Sequence, residues 1–196
     1  MVELSEWARR RGARLQHRPG TQAPAQPTGG LERVRYEGYG PGGAALLVDC
    51  LTADGKQARA RLRQVFAGHG GNLAAAGAVS YLFHTVAVLA YPPGTDGEAL
   101  GRAALAAGAE DVVARADRSA EVLADPLEFE AVRGALAESG FAPAHAEVTE
   151  RAACSLSLSG ARAAQMLGLL AALAALEEVR DIYSNVEIPD EVLARL

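Results

Sequence analysis

The sequence has little of what metal or redox chemistry requires. Its 196 residues include two cysteines, Cys50 and Cys154, and four histidines. None of them stands at the C-x-x-C or H-E-x-x-H spacing of a metal site. Neither a G-x-S-x-G nucleophile motif nor a Walker loop occurs. We therefore expect no catalytic residues, no metal site and no cofactor, and a protein that is not an enzyme.

Long apolar runs are also absent. The longest, at residues 166–176, has eleven residues, whereas a membrane-spanning helix needs about 20. No basic-then-apolar signal segment opens the chain, so we expect a cytoplasmic location. Lysine is nearly absent as well: Lys56 stands against 18 arginines, a bias typical of a GC-rich bacterial genome.

The net charge of −5 is distributed unevenly along the chain. Residues 1–35 carry +4, residues 36–54 carry −3, residues 55–95 carry +4 with no acid, and residues 96–196 carry −10. A basic front half and an acidic back half favour an anionic partner for the front. A mixed surface that happens to be lopsided explains the charges equally well.

The hydrophobic pattern predicts an α+β protein. A short helix at 1–16 and a linker at 18–30 with three prolines and three glycines come first. A β-α-β unit follows, with strands at 34–39 and 44–51, a helix from Asp54 to about Gly68, and a β-type run at 78–83. A second such unit closes the chain, with a strand at 152–158, a helix at 160–178 and a strand at 179–188.

Residues 86–150 form a complete motif of their own between these two units. Their pattern is β-α-β-β-α-β, with helices that Asp96 and Asp125 cap and that Gly108 and Gly140 end. We therefore predict two ferredoxin-like α/β modules, one inserted into the other, behind a short helical arm and a Pro/Gly linker. The predicted domains are 1–30 (arm and linker), 31–85 plus 151–196 (split domain) and 86–150 (inserted domain).

A glycine-rich loop and a basic stripe are the candidate binding features. The loop lies between two strands and contains Pro41, so it lacks the strand-to-helix context of a phosphate loop. It is either a tight turn or a place of close backbone approach to a partner, with Tyr39, Gly40, Gly42 and Gly43 as candidates.

The stripe consists of Lys56, Arg59 and Arg63, which fall on one side of the predicted helix. Three cations on one side suit a phosphate backbone, although a plain solvated face gives the same pattern. An N-terminal arm with Arg9, Arg10, Arg11 and Arg14 would add positive charge.

Several motifs, in order, resemble the YebC-like family. They are YEGYGPGG at 36–43, HGGNL at 69–73, GAV at 77–79, AGAEDV at 107–112, FEAV at 129–132 and YSN at 183–185. The resemblance implies a non-enzymatic regulator of gene expression, described both as DNA-binding and as a ribosome-associated translation factor in contact with rRNA and tRNA. It also implies a helical N-terminal domain followed by two α/β modules, one inserted into the other.

The sequence departs from the family pattern where the family tends to carry basic or polar residues. Residues 1–30 are shorter than the family's basic helical domain, only Lys56 keeps a cation in the turn at 53–58, and His84-Thr85 replaces basic residues. These changes predict a divergent member with weakened nucleic-acid binding. The alternative is a protein-interaction module that has lost nucleic-acid binding and uses its acidic back half or a sheet face.

Overall fold

The computed structural model describes residues 2–3 and 30–188. The helix predicted at 1–16 is wrong at its start, because Val2–Glu3 forms a short strand that pairs with residues 187–188. The rest of that helix, the linker up to residue 29, and the candidates Arg9, Arg10, Arg11 and Arg14 lie outside the described residues. In chain order the elements are β1 (Val2–Glu3), β2 (Glu32–Tyr39), β3 (Ala45–Thr52), α1 (Gly55–Gly68), β4 (Asn72–Leu73), β5 (Phe83–Tyr91), α2 (Gly97–Ala106), β6 (Asp111–Ala114), β7 (Ala120–Ala124), α3 (Phe129–Glu138), β8 (His145–Ala152), β9 (Leu156–Ser157), α4 (Gly160–Ala174), β10 (Val179–Ser184) and β11 (Val186–Ile188).

The chain divides into two compact units. The split unit contains the described residues up to His84 and from Arg151 onward, and the inserted unit is Thr85–Glu150. Each unit has a four-stranded antiparallel sheet, which confirms the predicted α+β class. None of the described helices is long and apolar enough to cross a membrane.

In the split unit the sheet order is β10-β3-β2-β4. Strands β2 and β3 form a hairpin in full register from Glu32↔Thr52 to Tyr39↔Ala45. Helices α1 and α4 pack on one face of this sheet, where the side chains pointing inward from strands and helices form a single core. Its largest fully buried members are Leu46, Val48, Leu62, Phe66, Met166, Leu169, Leu173 and Ile188.

The inserted unit has the predicted strand–helix–strand–strand–helix–strand order. Its sheet order is β6-β7-β5-β8, so the first and last strands of the motif lie side by side. The core beneath the two helices includes Leu89, Leu100, Val122, Val132 and Leu136. Aspartates cap both helical segments: Asp96 accepts hydrogen bonds from the first turn of α2, and Asp125 accepts one from the turn that leads into α3.

The predicted strand at 78–83 is wrong. Its residues instead enter a 3-10 turn at Ser80–Leu82, and β5 begins at Phe83. The reason is Glu37, whose buried carboxylate accepts hydrogen bonds from the backbone N–H groups of Gly77 (2.7 Å), Val79 (2.7 Å) and Ser80 (2.9 Å). These N–H groups are therefore not available to pair with a neighbouring strand. The segment that pairs with the end of β2 is the two-residue strand β4.

The last two predicted strands are interrupted. The run at 152–158 is split between β8, which ends at Ala152, and β9. The run at 179–188 is split by the buried Asn185, whose side-chain oxygen accepts a hydrogen bond from Ala45 N–H (2.9 Å). The chain there leaves the four-stranded sheet, and β11 joins β9 and β1 in a separate small sheet. The helix predicted at 160–178 ends earlier, at Ala174.

Candidate nucleic-acid interface

Helix α1 presents Lys56, Arg59 and Arg63 to solvent along one side. Asp54 begins the helix by accepting hydrogen bonds from Lys56 N–H (2.9 Å) and Gln57 N–H (3.0 Å). The buried side of α1 is held on the sheet by three apolar residues: Ala58, Leu62 and Phe66. The three cations are spaced by about one helical turn each, so they cover about 10 Å of the helix axis. We call this surface the cationic flank.

The fourth cation of α1 has a structural partner. The Arg61 guanidinium lies 3.3 Å from the buried Glu178 carboxylate, which precedes β10. The pair ties α1 to the end of the α4 segment and neutralises a carboxylate that burial would otherwise penalise. Within the described ranges, Lys56, Arg59 and Arg63 have no ion-pair partner, so their charges face solvent.

An open depression of about 500 Å³ lies beside the N-terminal end of the flank. Its lining includes Val34, Tyr36, Lys56 and Arg59, together with the carboxylates of Glu32 and Asp54. The Tyr36 hydroxyl donates a hydrogen bond to Gly55 O (2.7 Å), and burial raises its pKa. Because two carboxylates offset the two cations, this depression is not a phosphate pocket. It shows that the flank faces the β2 side of the helix.

Two of the four loop candidates have roles inside the fold. The Tyr39 hydroxyl donates to Ala78 O (2.9 Å) and so holds the segment that follows β4. Gly40 is buried, and a Cβ there would lie 2.9 Å from Leu46 Cδ1 and 3.0 Å from Met166 Sδ. The absence of a side chain at Gly40 is thus required by packing within the protein.

Gly42 and Gly43 are exposed and form the tip of the loop. Both have positive φ, +75° and +84°, which glycine adopts without strain. The loop uses two of its own N–H groups, since Gly43 donates to Gly40 O and Gly40 donates to Ala44 O. It is therefore a tight turn that offers few donors to a phosphate, which agrees with the sequence argument against a phosphate loop.

Arg162 is a candidate that the sequence reasoning missed. It is exposed in the first turn of α4, and its Cδ lies 3.6 Å from where a Cβ of Gly42 would be. No local pattern marks this arginine, because about 120 residues of sequence separate it from the glycine turn. The contact between α4 and the turn at Pro41–Gly43 could be found only from the fold.

The loop tip and the start of the cationic flank lie at opposite ends of α1. Gly55, which begins the helix, lies near Glu32 and Tyr36 at the start of β2, whereas Phe66 in the last turn contacts Gly38 near its end. The structure therefore does not bring Lys56 together with the glycine turn. Arg63, in the third turn of the helix, lies between them.

The two cysteines are a buried strand residue and an exposed surface residue. Cys50 is fully buried in β3, Cys154 is exposed, and neither forms a disulfide. Burial, followed by the nearby Glu178 and Asp49 carboxylates, raises the pKa of Cys50 to about 12, so this thiol stays protonated at neutral pH. In the part of the chain that is described, no three His, Cys, Asp or Glu side chains are grouped so that they could hold a metal ion.

The fold defines a class: an α+β protein in which one four-stranded unit is inserted into another. The sequence profile of the family described as the TACO1/YebC second and third domain matches residues 31–186. The chain belongs to this family.

Known relatives agree with this assignment. A probable transcriptional regulatory protein of Nitrosococcus oceani is 42% identical over 165 residues, and one of Methylococcus capsulatus is 46% identical over 165 residues. In both comparisons the match covers 84% of this chain and 66% of the relative, so the chain spans just under two thirds of their length. The crystal structure of a conserved hypothetical protein from Aquifex aeolicus superimposes with a TM-score of 0.72 at 30% identity, covering 96% of this chain and 79% of that one.

Proposed function

We propose that this protein is a non-enzymatic regulator of gene expression that binds nucleic acid through the cationic flank of α1. The observation that carries the proposal is the solvent-facing row of Lys56, Arg59 and Arg63, in a stretch of chain without acids from residue 55 to residue 95. The relatives named probable transcriptional regulatory proteins support duplex DNA as the first ligand to test.

The flank suits the phosphate backbone rather than the base edges. Its members are two arginines and a lysine at helical spacing, which bind phosphate oxygens and release counterions from the nucleic acid. Helix α1 buries Ala58, Leu62 and Phe66 against its own sheet, so only part of its surface is available to a groove. We therefore propose binding with little dependence on base sequence, in which Arg162 and the exposed glycine turn add a secondary contact.

The test is a charge removal that leaves the fold intact. The variant Lys56→Gln/Arg59→Gln/Arg63→Gln removes three exposed charges without disturbing the Arg61–Glu178 pair. We expect its affinity for a random-sequence DNA duplex to fall by about 100-fold at low salt, as loss of three phosphate contacts implies. Fluorescence anisotropy of a labelled duplex measures the change, and a ribosomal RNA hairpin in the same assay compares RNA with DNA.

A matched control separates the site from the overall charge. Arg102→Gln/Arg118→Gln/Arg133→Gln removes the same charge from exposed positions of the inserted unit and is expected to change affinity less than threefold. Equal losses in the two variants would mean that net charge alone governs binding. An unchanged affinity in the α1 variant would remove the flank from the interface, and the absence of any binding by the unsubstituted chain would refute the proposed function.

A further inference from the structure

The depression beside the cationic flank contains groups that phosphate binding does not use. Its volume of about 500 Å³ lies within the range of small-ligand sites, about 300–1,000 Å³. Lys56 and Arg59 line the depression and also belong to the flank. A group bound in the depression would therefore lie next to a phosphate bound by the flank.

Three side chains of β2 converge on Gly55 at this place. Glu32, Val34 and Tyr36 alternate along the strand, so they lie on the same face of the sheet. A Cβ on Gly55 would lie 3.1 Å from Glu32 Oε1, 3.4 Å from the Tyr36 hydroxyl and 3.9 Å from Val34 Cγ2. The φ of Gly55 is not positive, so the backbone conformation does not require glycine. The missing side chain leaves open space between the strand and the start of α1.

The Glu32 carboxylate is the acceptor that a ligand in this space can reach. Among the described residues it has no hydrogen bond and no ion pair, although Lys56 and Arg59 line the same depression. The other carboxylate, Asp54, already caps α1 by accepting from Lys56 N–H and Gln57 N–H. A carboxylate repels phosphate, so at a nucleic-acid interface its partners are the N–H donors of a base.

Guanine is the base whose donors suit a single carboxylate. Its Watson–Crick edge carries N1–H and N2–H side by side, so the two oxygens of one carboxylate can accept both hydrogen bonds. Adenine and cytosine present one amino donor beside a ring-nitrogen acceptor, which would face the second carboxylate oxygen. Thymine and uracil carry one N–H between two carbonyl groups. In a duplex the donors of guanine are paired with cytosine, so only an unpaired guanine can present them.

We propose that the depression binds an unpaired guanine of a single-stranded nucleic acid while the cationic flank holds the adjoining phosphate. Glu32 accepts the hydrogen bonds from N1–H and N2–H, and Val34 and Tyr36 contact the base. Lys56 and Arg59 bind the phosphate. The flank alone reads no base, whereas this site adds a base preference for single strands. The inference rests on the proposed function, because the flank supplies the phosphate contacts.

The probes are single-stranded oligothymidines of about ten nucleotides with one central guanine, adenine, cytosine or hypoxanthine. Fluorescence anisotropy with the full chain measures their affinities at low salt. We expect the guanine strand to bind about tenfold more tightly than the adenine and cytosine strands, as a bidentate base contact implies. Hypoxanthine lacks the N2 amino group and should give an intermediate affinity. Oligouridines with the same central bases, measured beside them, compare RNA with DNA as the source of the guanine.

Two variants locate the site, each with a matched control. Glu32→Gln replaces an acceptor oxygen with an NH2 group and is expected to reduce the guanine preference to less than about threefold, whereas Glu110→Gln, at an exposed position of the inserted unit, should keep it. Gly55→Ala places a methyl group against Glu32 and should also reduce the preference. Gly68→Ala, at the other end of α1, adds a Cβ with no atom within 4 Å and should keep it. Both glutamates are exposed and alanine favours a helix over glycine, so each variant should fold.

The failure of this site and the failure of the proposed function give different results. Equal binding of the guanine and adenine strands by the unsubstituted chain would refute the guanine site and leave the flank's binding of duplex DNA untouched. A guanine preference that survives Glu32→Gln would also refute it. If neither the single strands nor the duplex bind, the proposed function fails and the guanine site fails with it. Glu32→Gln is expected to change duplex affinity less than about threefold, because a paired guanine cannot reach the carboxylate.

Discussion

Replacing Glu37 with glutamine is expected to destabilise the split unit by about 3 kcal/mol. The Glu37 carboxylate accepts three backbone N–H bonds, from Gly77, Val79 and Ser80, and hydrogen bonds to a charged group contribute about 1.5–3 kcal/mol each. Glutamine would turn an NH2 group toward at least one of these donors. Urea unfolding followed by circular dichroism measures the loss, and faster amide exchange at Val79 and Ser80 would locate it.

The same carboxylate makes stability depend on pH. Burial raises the pKa of Glu37, but the hydrogen bonds from Val79, Gly77 and Ser80 outweigh burial and hold the pKa below its ordinary value. Because the folded pKa is depressed, Glu37 stabilises the fold above the unfolded pKa, and this contribution is lost as pH falls through the folded pKa. Glu37→Gln should therefore reduce the acid sensitivity of unfolding, and the exposed Glu32→Gln on the same strand should not. Equal stability of Glu37→Gln and the unsubstituted chain at neutral pH would contradict this account.

Replacing Gly38 with alanine is expected to cost about 3 kcal/mol. A Cβ at this position would lie 2.6 Å from Phe66 Cε1 and 2.9 Å from Asn72 O. Phe66 is fully buried, and the Asn72 carbonyl belongs to the strand that pairs with β2. Neither neighbour can withdraw without disturbing the core or the sheet edge, and such overpacking costs about 1–3 kcal/mol or more.

Gly68 is the matched control for this substitution. It lies at the end of α1, where an added Cβ would have no atom within 4 Å, and its φ is not positive. Gly68→Ala should be neutral or slightly stabilising, because alanine favours a helix over glycine by up to about 1 kcal/mol. Thermal unfolding of the two variants compares them directly. If Gly38→Ala unfolds at the same temperature as Gly68→Ala, the close packing of β2 on Phe66 is not tight enough to exclude a methyl group.

Local signals were enough to predict most of the fold. The caps Asp54, Asp96 and Asp125 each begin a helical segment where the sequence places one. Short β-type runs bounded by turn residues identified β2, β3 and the strands of the inserted unit, and alternation of apolar residues identified the strand at 144–148. These features depend on neighbours within a few residues, so the sequence contains the whole signal.

Features that depend on distant partners could not be predicted. Residues 78–83 have a β-type composition, but the N–H groups of Val79 and Ser80 donate to Glu37, which lies about 40 residues earlier. Asn185 interrupts a strand because it bonds to Ala45, 140 residues away. Arg162 likewise reaches the glycine turn only through the packing of α4. In each case a side chain interacts with a segment that is distant in the sequence, so no local pattern connects the two.

The cationic flank was predicted as a set, but its surroundings were not. Helical spacing grouped Lys56, Arg59 and Arg63 and separated them from Arg61. The Glu178 partner of Arg61 and the carboxylates beside Lys56 became visible only in the structure. They favour the exposed side of the helix, rather than the depression at its start, as the proposed anion-binding surface.

The salt dependence of DNA binding tests the central claim most directly. Each phosphate contact contributes about 0.9 to the slope of log K against log salt concentration. We predict that Lys56→Gln/Arg59→Gln/Arg63→Gln lowers this slope by about 2 to 3 relative to the unsubstituted chain, whereas Arg102→Gln/Arg118→Gln/Arg133→Gln leaves it unchanged. An identical slope in the flank variant and the unsubstituted chain would show that these three cations do not contact phosphates.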